Sequence, residues 1–220
     1  MLLGARQFFE RRGGGVPYIM PDGSSYWDTG FKGGSGCEYL FDCMWLDFPR
    51  NPQNIEPERV LMGTTIYTGI VVCSFNWFAT SSDTLTTQAT RTETRCQFNA
   101  DDWVMKRSII RVRHRVGDKY LRIGFVGGTE SSVYKGSLSA QSNSMYLCAH
   151  RIGSYDDGTV GPMTSNIVMI FNVQIKQNGM LAKNFIPALD GNIPCFYEEV
   201  SGTFVHSIGT TNGVYGLYRD

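Results

Sequence analysis

The chain has 220 residues, of which 42% are hydrophobic and 18% are charged, and its 20 lysines and arginines balance 20 acidic residues. This length suits one large domain with its own core, and the low charge argues against intrinsic disorder. A net charge of zero excludes a global field that would draw the protein to nucleic acid or to an anionic membrane. No run of eighteen apolar residues is present, so no membrane-spanning helix is predicted.

The first residues lack the apolar stretch of a secretory signal peptide. Charged side chains interrupt it at Arg6, Glu10, Arg11 and Arg12. No small-residue cleavage site follows such a stretch. We therefore expect a protein that is made and kept in a cytoplasm, or that leaves it without the general secretory route.

Residues 1–15 are predicted to form an arm in front of a single folded domain, residues 16–220. The arm is basic and ends in Gly13-Gly14-Gly15, which predicts a flexible joint. The side chains that suit docking to a partner are Phe8, Phe9, Arg11 and Arg12. The alternative is a disordered terminus without a docking role.

Six cysteines occur without any C-x-x-C spacing, which argues against a zinc site. They are Cys37, Cys43, Cys73, Cys96, Cys148 and Cys195. Because no signal peptide is expected, free buried thiols are predicted, and three disulfides remain the alternative.

Beyond the arm, apolar residues recur with a period of two, which predicts β-strands. Glu38–Phe48 is a strand with both faces partly covered, and its aromatic face carries Tyr39, Phe41, Cys43 and Trp45. Leu61–Tyr67 and Gly69–Ala79 follow as strands. The Ser- and Thr-rich segment Ser81–Thr94 is predicted to be a loop or an exposed edge hairpin.

The segment from Arg107 to Phe125 is the clearest predicted hairpin. Two alternating runs flank Gly117-Asp118, a pair that suits a type II′ turn. In the first run Arg111, Arg113 and Arg115 share one face. This stripe predicts either contact with an acidic glycan or acidic partner subunit, or a solvated face paired with acids on the next strand.

The last third contains the strongest single strand, Ile167–Ile175, before the turn Asn178-Gly179. Its predicted apolar face carries Ile167, Met169, Phe171, Val173 and Ile175. About a dozen short strands and no long amphipathic helix are expected, which is typical of an antiparallel sandwich.

This last third also resembles the closing segment of laminin-G-like, concanavalin A-like jelly rolls. The matching elements are Phe171 to Ile175, Asn178-Gly179, Phe185-Ile186-Pro187, Gly191, Tyr197, Val200-Ser201-Gly202, Phe204 and Ser207 to Thr210. The opening of the same group is matched by Gly23, Tyr26, Asp28, Thr29 and Gly30. The resemblance implies an all-β, antiparallel two-sheet jelly-roll sandwich, although residues 49–94 match nothing in it.

Such segments are abundant in proteins of gut bacteroidete bacteria and of their phages, where they look like adhesion modules or virion components. A short basic start before a lone jelly roll is closer to the phage version. The resemblance thus implies a virion structural protein, assembled in host cytoplasm as a fibre, tail-tip or capsid decoration module. Its expected partners are other virion proteins, further copies of itself in a homo-oligomer, and a cell-surface glycan.

Two other functions are the alternatives to this one: a bacterial carbohydrate-binding adhesin module and a polysaccharide-cleaving enzyme. The enzyme would need paired carboxylates flanking one bond, as in Glu-x-Asp-x-x-Glu. That spacing is absent, and the neighbours Glu198 and Glu199 are expected to face opposite ways on a strand. We therefore predict a protein that is not an enzyme.

One loop is a candidate ligand site. Asp156 and Asp157 offer the oxygen ligands that calcium prefers, and the alternative is an ordinary Asp-rich turn. The adjacent Tyr155 is a candidate for stacking on a sugar ring. No other cofactor is predicted.

Overall fold

The computed structural model describes residues 16–46, 59–64, 70–77, 83–89, 92–98, 105–117, 119–141, 143–151, 160–162 and 168–216. These residues form strands and turns and no helix, so none of the described segments is a helix that could cross a membrane. The predicted arm, residues 1–15, lies outside the described residues.

The strands of the described residues, in chain order, are β1 (Ile19–Met20), β2 (Trp27–Asp28), β3 (Cys37–Trp45), β4 (Arg59–Gly63), β5 (Ile70–Trp77), β6 (Asp83–Ala89), β7 (Thr92–Phe98), β8 (Ser108–His114), β9 (Tyr120–Phe125), β10 (Glu130–Tyr134), β11 (Tyr146–Leu147), β12 (Ala149–Arg151), β13 (Val160–Pro162), β14 (Val168–Gln177), β15 (Met180–Asp190), β16 (Ile193–Glu198), β17 (Thr203–Val205) and β18 (Val214–Tyr215).

Two antiparallel sheets form the body of the molecule. The large sheet runs β10-β9-β8-β3-β14-β15-β16-β17, with β1 also paired to β14 and β18 paired to β1. The second sheet runs β2-β11-β4-β5-β6-β7, and β12 and β13 form a separate pair. The predicted two-sheet antiparallel architecture is therefore confirmed.

The core lies between the two sheets. Trp27 of β2 and Phe196 of β16 are fully buried, and their rings meet edge to face with centroids 5.0 Å apart. On β3 the burial alternates along the whole strand, with Cys37, Phe41 and Trp45 on the core side. The intervening residues of β3 are half-buried, as predicted for a strand with both faces partly covered.

A β-bulge in β14 changes which of its residues face the core. Its register with β3 shifts between Ile170 and Asn172, which leaves Phe171 as the extra residue. Val168 and Ile170 point to the core before the bulge, whereas Val173 and Ile175 do so after it. The prediction that Met169 and Phe171 share the core face was therefore wrong: both are only partly buried.

The turn between β8 and β9 also differs from the prediction. A type II′ turn requires a positive φ at its first central residue. Gly117 does not have one, and among the described residues of this connection a positive φ occurs at Lys119, at 57°. Asp118 lies outside the described residues. The amide of Lys119 donates to the carbonyl of Arg115. The hairpin is confirmed, and the prediction of a type II′ turn that begins at Gly117 was wrong.

The structure also tests the predictions for one hairpin, one turn and the cysteines. The region 81–94 contains β6 and the start of β7, so the hairpin alternative is correct. The Asn178-Gly179 turn is confirmed, with φ of 51° and 83°. The cysteines described with side chains are buried and free: Cys37, Cys43, Cys148 and Cys195.

Candidate functional site

The large sheet has an outer face, directed away from the core, on which charged and aromatic side chains gather over β8, β9 and β10. Arg111 and Arg113 project there because they alternate with the buried Ile110 and Val112 on β8. Strand register places the side chains of β9 and β10 beside them, since residues that are directly opposite share one face.

Glu130 of β10 accepts hydrogen bonds from two arginines of β8. The Nη2 atom of Arg111 lies 2.7 Å from Oε1, and that of Arg113 lies 2.5 Å from Oε2. Burial raises the pKa of the Glu130 carboxyl, but the hydrogen bonds and charges of the two arginines outweigh it, so the pKa is lowered. Glu130 is thus a carboxylate shared by two guanidinium groups.

Gly124 makes this contact possible, because β9 lies between β8 and β10. It is the register partner of Arg111 on one side and of Glu130 on the other. A Cβ atom at Gly124 would lie 2.5 Å from the carbonyl oxygen of Thr129 and 3.0 Å from Cγ of Glu130. A residue without a side chain therefore lets the ion pair form across the intervening strand.

An exposed aromatic pair adjoins these charges at the ends of β9 and β10. Tyr120 and Tyr134 are register partners, and their rings meet edge to face with centroids 5.6 Å apart. They expose 39% and 60% of their surface, which leaves aromatic area open to a ligand. The Cζ atom of Arg122 lies 5.5 Å from the centroid of Tyr120. We call Tyr120, Tyr134 and Arg122 the Tyr–Arg patch.

Only two of the three arginines in the predicted stripe share an acidic partner. Arg111 and Arg113 lie on β8 and bind Glu130, whereas Arg115 lies beyond the strand and is exposed. Their acidic partner comes from β10 rather than from an adjacent strand. Pairing across an intervening glycine was not foreseen, although Gly124 in an otherwise alternating strand was a usable signal.

The other predicted site residues lie outside the described residues. These are Asp156, Asp157 and Tyr155 of the loop, and Phe8, Phe9, Arg11 and Arg12 of the arm. In the part of the chain that the structure describes, no group of three or more His, Cys, Asp or Glu side chains is placed to hold a metal ion. Calcium binding at Asp156 and Asp157 thus stays a prediction.

The large sheet holds a second charged cluster, around the turn after β16. Glu198 is 1% exposed and accepts hydrogen bonds from the backbone amides of Asn184, Val200 and Ser201 at 2.9 to 3.0 Å. The ammonium group of Lys183 lies 3.2 Å from its Oε2 atom. Burial raises the pKa of Glu198, but these hydrogen bonds outweigh that effect and lower it to about 2.

Glu199, next to it, is exposed and accepts a hydrogen bond from the side-chain amide of Asn184. One carboxylate is thus buried in backbone hydrogen bonds while its neighbour lies at the surface. The backbone hydrogen bonds of Glu198 therefore fix the turn that follows β16.

Comparisons with known proteins identify the fold. No family model matches the chain, and no curated protein sequence matches it. A candidate carbohydrate-binding protein from Bacteroides ovatus has a similar structure, with a TM-score of 0.56 at 10% identity over 93% of this chain and 62% of its own. The fold is a concanavalin-like jelly roll.

Two further solved structures align less closely. The heptameric SAP-like pentraxin of Limulus polyphemus has a TM-score of 0.49 at 8% identity, over 73% of this chain and 75% of its own. Domains LG4-5 of the mouse laminin alpha1 chain have a TM-score of 0.47 at 10% identity, over 91% of this chain and 48% of that one. Identities this low leave the ligand to be argued from this chain's own residues.

Proposed function

We propose that this protein is a non-enzymatic carbohydrate-binding module whose ligand packs on the Tyr–Arg patch of the large sheet. The observation that carries the proposal is the exposed, edge-to-face pair of Tyr120 and Tyr134. Tyrosine offers an apolar ring face for the C–H bonds of a pyranose and a hydroxyl for its oxygens, at a low cost in side-chain entropy.

The surroundings of this pair also favour a polar ligand. Arg122, Arg113 and Glu130 supply hydrogen-bond donors and acceptors on the same face, and the ion pairs with Glu130 hold Arg111 and Arg113 in place before a ligand arrives. The structurally similar Bacteroides ovatus protein is described as a candidate carbohydrate binder. An open, weak site of this kind gains most from repetition, since several copies bind a surface together.

A glycan array tests the proposal with matched variants. We expect wild-type protein to bind at least one glycan, and Tyr134→Ser to weaken that binding by about tenfold or more, the loss expected for a central aromatic contact. Met180→Ser is the control, because Met180 is even more exposed, at 73%, but lies at the β14–β15 hairpin. Equal binding by all three proteins would place the ligand elsewhere.

The non-enzymatic part of the proposal has its own test. Incubation of the protein with any glycan that it binds should release no new reducing ends. Steady release would instead support the polysaccharide-cleaving alternative.

The finer proposal is that this module serves on a phage particle, assembled in host cytoplasm with other virion proteins or with further copies of itself. It is supported by the resemblance of the opening and closing segments and by the basic, aromatic composition of residues 1–15. The mass in solution of the full chain and of residues 16–220 tests the role of the arm. An oligomer that becomes a monomer on truncation supports self-docking, and an unchanged oligomer contradicts it.

A further inference from the structure

One histidine of β8 lies on the core side of the large sheet. His114 exposes only 2% of its surface and follows the buried Val112 by two positions, which places both on the same face. Its Nε2 atom lies 2.6 Å from the carbonyl oxygen of Gly136. Because a carbonyl oxygen only accepts hydrogen bonds, Nε2 carries the ring proton and donates it.

The other ring nitrogen of His114 is buried and has no hydrogen-bond partner among the described residues. In the neutral ring this Nδ1 atom is a bare acceptor. A second proton would make it a buried donor on a charged ring, with no acceptor to receive its hydrogen bond. Such a group is costly to bury, so the site fits the neutral imidazole and not the cation.

The described side chains around the ring offer no anion to a second proton. On the flanking strands, Leu121 of β9 is the register partner of His114, and Cys37 and Tyr39 of β3 lie on the same core face. Burial raises the pKa of the Cys37 thiol and of the Tyr39 phenol, so both groups stay neutral. Among the described side chains of β3, β8 and β9 on this face, none is therefore negatively charged.

The described charged residues that adjoin the site along the chain are cations. Arg115 follows His114, Lys119 precedes β9, and Lys135 precedes Gly136. A positive charge nearby disfavours another one, so these neighbours do not favour a second proton on the ring. Asp118, an acid of the same connection, lies outside the described residues.

The carbonyl that receives the hydrogen bond lies two residues beyond Tyr134, the more exposed tyrosine of the Tyr–Arg patch. β10, which carries Tyr134, is the edge strand of the large sheet and pairs with β9. Beyond its end, the amides of Lys135 and Gly136 donate to the carbonyl of Lys119 at 3.0 and 3.1 Å. His114 adds a tether from β8, two places away in the sheet. The imidazole therefore helps to fix the end of β10.

We propose that neutral His114 is a positioning residue for ligand binding: its hydrogen bond to Gly136 holds the end of β10, and with it the ring of Tyr134 against Tyr120. This inference rests on the proposed function and adds a pH dependence to it. Histidine gains its second proton as the pH falls from about 8 to 5. Protonation expels the ring from a site that does not fit the cation, so the tether is lost. Ligand binding is strongest at high pH and weakens as the pH falls.

The glycan array of the proposed function, read at pH 7.5 and at pH 5.0, tests this role. We expect wild-type protein to bind its glycans about fivefold or more weakly at pH 5.0, a loss that corresponds to about one hydrogen bond. The Glu130 carboxyl keeps its charge over this range, because its pKa is lowered from the usual 4.5. It therefore does not account for the loss.

Three variants separate His114 from the rest of the molecule. His114→Phe removes the donor, so binding should be weak at both pH values and no longer depend on pH. His114→Gln restores a donor that takes up no proton, so it should recover part of the binding at pH 7.5 and keep that part at pH 5.0. His206→Gln is the matched control, because His206 is exposed and lies 3.1 Å from Asp190. It should keep the wild-type loss in acid.

A second measurement needs neither a variant nor a glycan, and it serves if the His114 variants fold poorly. In nitrogen-15-labelled wild-type protein, the ring signals of His114 should show the neutral form protonated at Nε2 at pH 7.5. As the pH falls, their change should coincide with shift changes at the amides of Tyr134 and Gly136. A charged ring at pH 7.5, or a Tyr134 amide that does not respond when His114 titrates, overturns the inference.

The outcomes distinguish this inference from the function on which it rests. Glycan binding that is lost in Tyr134→Ser but has the same pH dependence in wild type and in His114→Gln overturns the role of His114 and leaves a carbohydrate-binding face. A loss in acid that disappears in His206→Gln assigns the effect to the exposed histidine and also overturns the inference. Binding of no glycan by folded wild-type protein overturns both.

Discussion

The two ends of the large sheet use a carboxylate in contrasting ways. Glu198, at the end of β16, is buried. It accepts hydrogen bonds from backbone amides and pairs with one lysine, so it fixes the shape of a turn. Glu130, at the opposite edge, binds the side chains of Arg111 and Arg113 beside exposed tyrosines. The first carboxylate builds the fold, and the second organises a surface.

The segment that resembles a known family and the proposed ligand-binding face lie in different parts of the large sheet. The closing segment that resembles laminin-G-like jelly rolls contains the Asn178-Gly179 turn and the buried Tyr197, which packs edge to face on Phe204 with centroids 5.2 Å apart. These residues make strands, turns and packing. The face on β8–β10 that we propose to bind a ligand lies outside those matched fragments.

The largest expected effect comes from neutralising the turn carboxylate. Glu198→Gln should lower the free energy of unfolding by about 3 kcal/mol, because a buried set of donors loses its charged acceptor. Glu199→Gln, the exposed neighbour, should cost less than about 1 kcal/mol. Urea unfolding of both variants measures the difference, and equal losses would mean that Glu198 does not hold the turn.

The same carboxylate should make the free energy of unfolding depend on pH. The pKa of Glu198 is lowered from 4.5 to about 2 in the folded protein, so the folded state binds this proton more weakly than the unfolded chain. Its contribution of about 2–3 kcal/mol is present above about pH 4.5 and is lost as the pH falls toward 2. The stability gap between wild type and Glu198→Gln should close over that range. A gap that stays constant from pH 5 to pH 2 would contradict the lowered pKa.

At the opposite edge, the close packing around Gly124 can be tested by adding a Cβ atom. Gly124→Ala should destabilise the protein by about 1–3 kcal/mol, because its Cβ would lie 2.5 Å from the Thr129 carbonyl oxygen. Gly128→Ala is the matched control, since its Cβ would meet Phe125 at 3.6 Å, an ordinary contact. Thermal unfolding distinguishes them, and a harmless Gly124→Ala would argue against close packing across β9.

The smallest effect is the coupling between Arg111 and Glu130. A double-mutant cycle with Arg111→Gln and Glu130→Gln should give about 0.5–1 kcal/mol, the value of a partly exposed ion pair. A coupling of zero would mean that the pair does not organise this surface.

The sequence predicted the two-sheet architecture because period-two alternation and turn residues act locally. It placed Cys43 and Trp45 of β3 on one face, and the structure agrees. It failed at Phe171, where a bulge inserts one residue and reverses the alternation of β14. A bulge depends on the partner strand, so the pattern of β14 alone could not reveal it.

The candidate site was less predictable for a related reason. The alternation of Arg111 and Arg113 was visible, but their partner Glu130 lies two strands away and reaches them across Gly124. The pairing of Tyr120 with Tyr134 depends on the register of β9 and β10. Neither contact can be read from one strand, because the tyrosine pair needs the register of two strands and the ion pair needs the alignment of three.

The most direct test of this account is to map a bound glycan onto the chain by NMR. Amide shifts of isotope-labelled protein should change on β9 and β10, at Tyr120–Phe125 and Glu130–Tyr134, as the glycan is added. The closing strands β15–β17 should stay unperturbed, since they build the fold. Shift changes confined to β15–β17, with none at Tyr120 or Tyr134, would contradict the central claim.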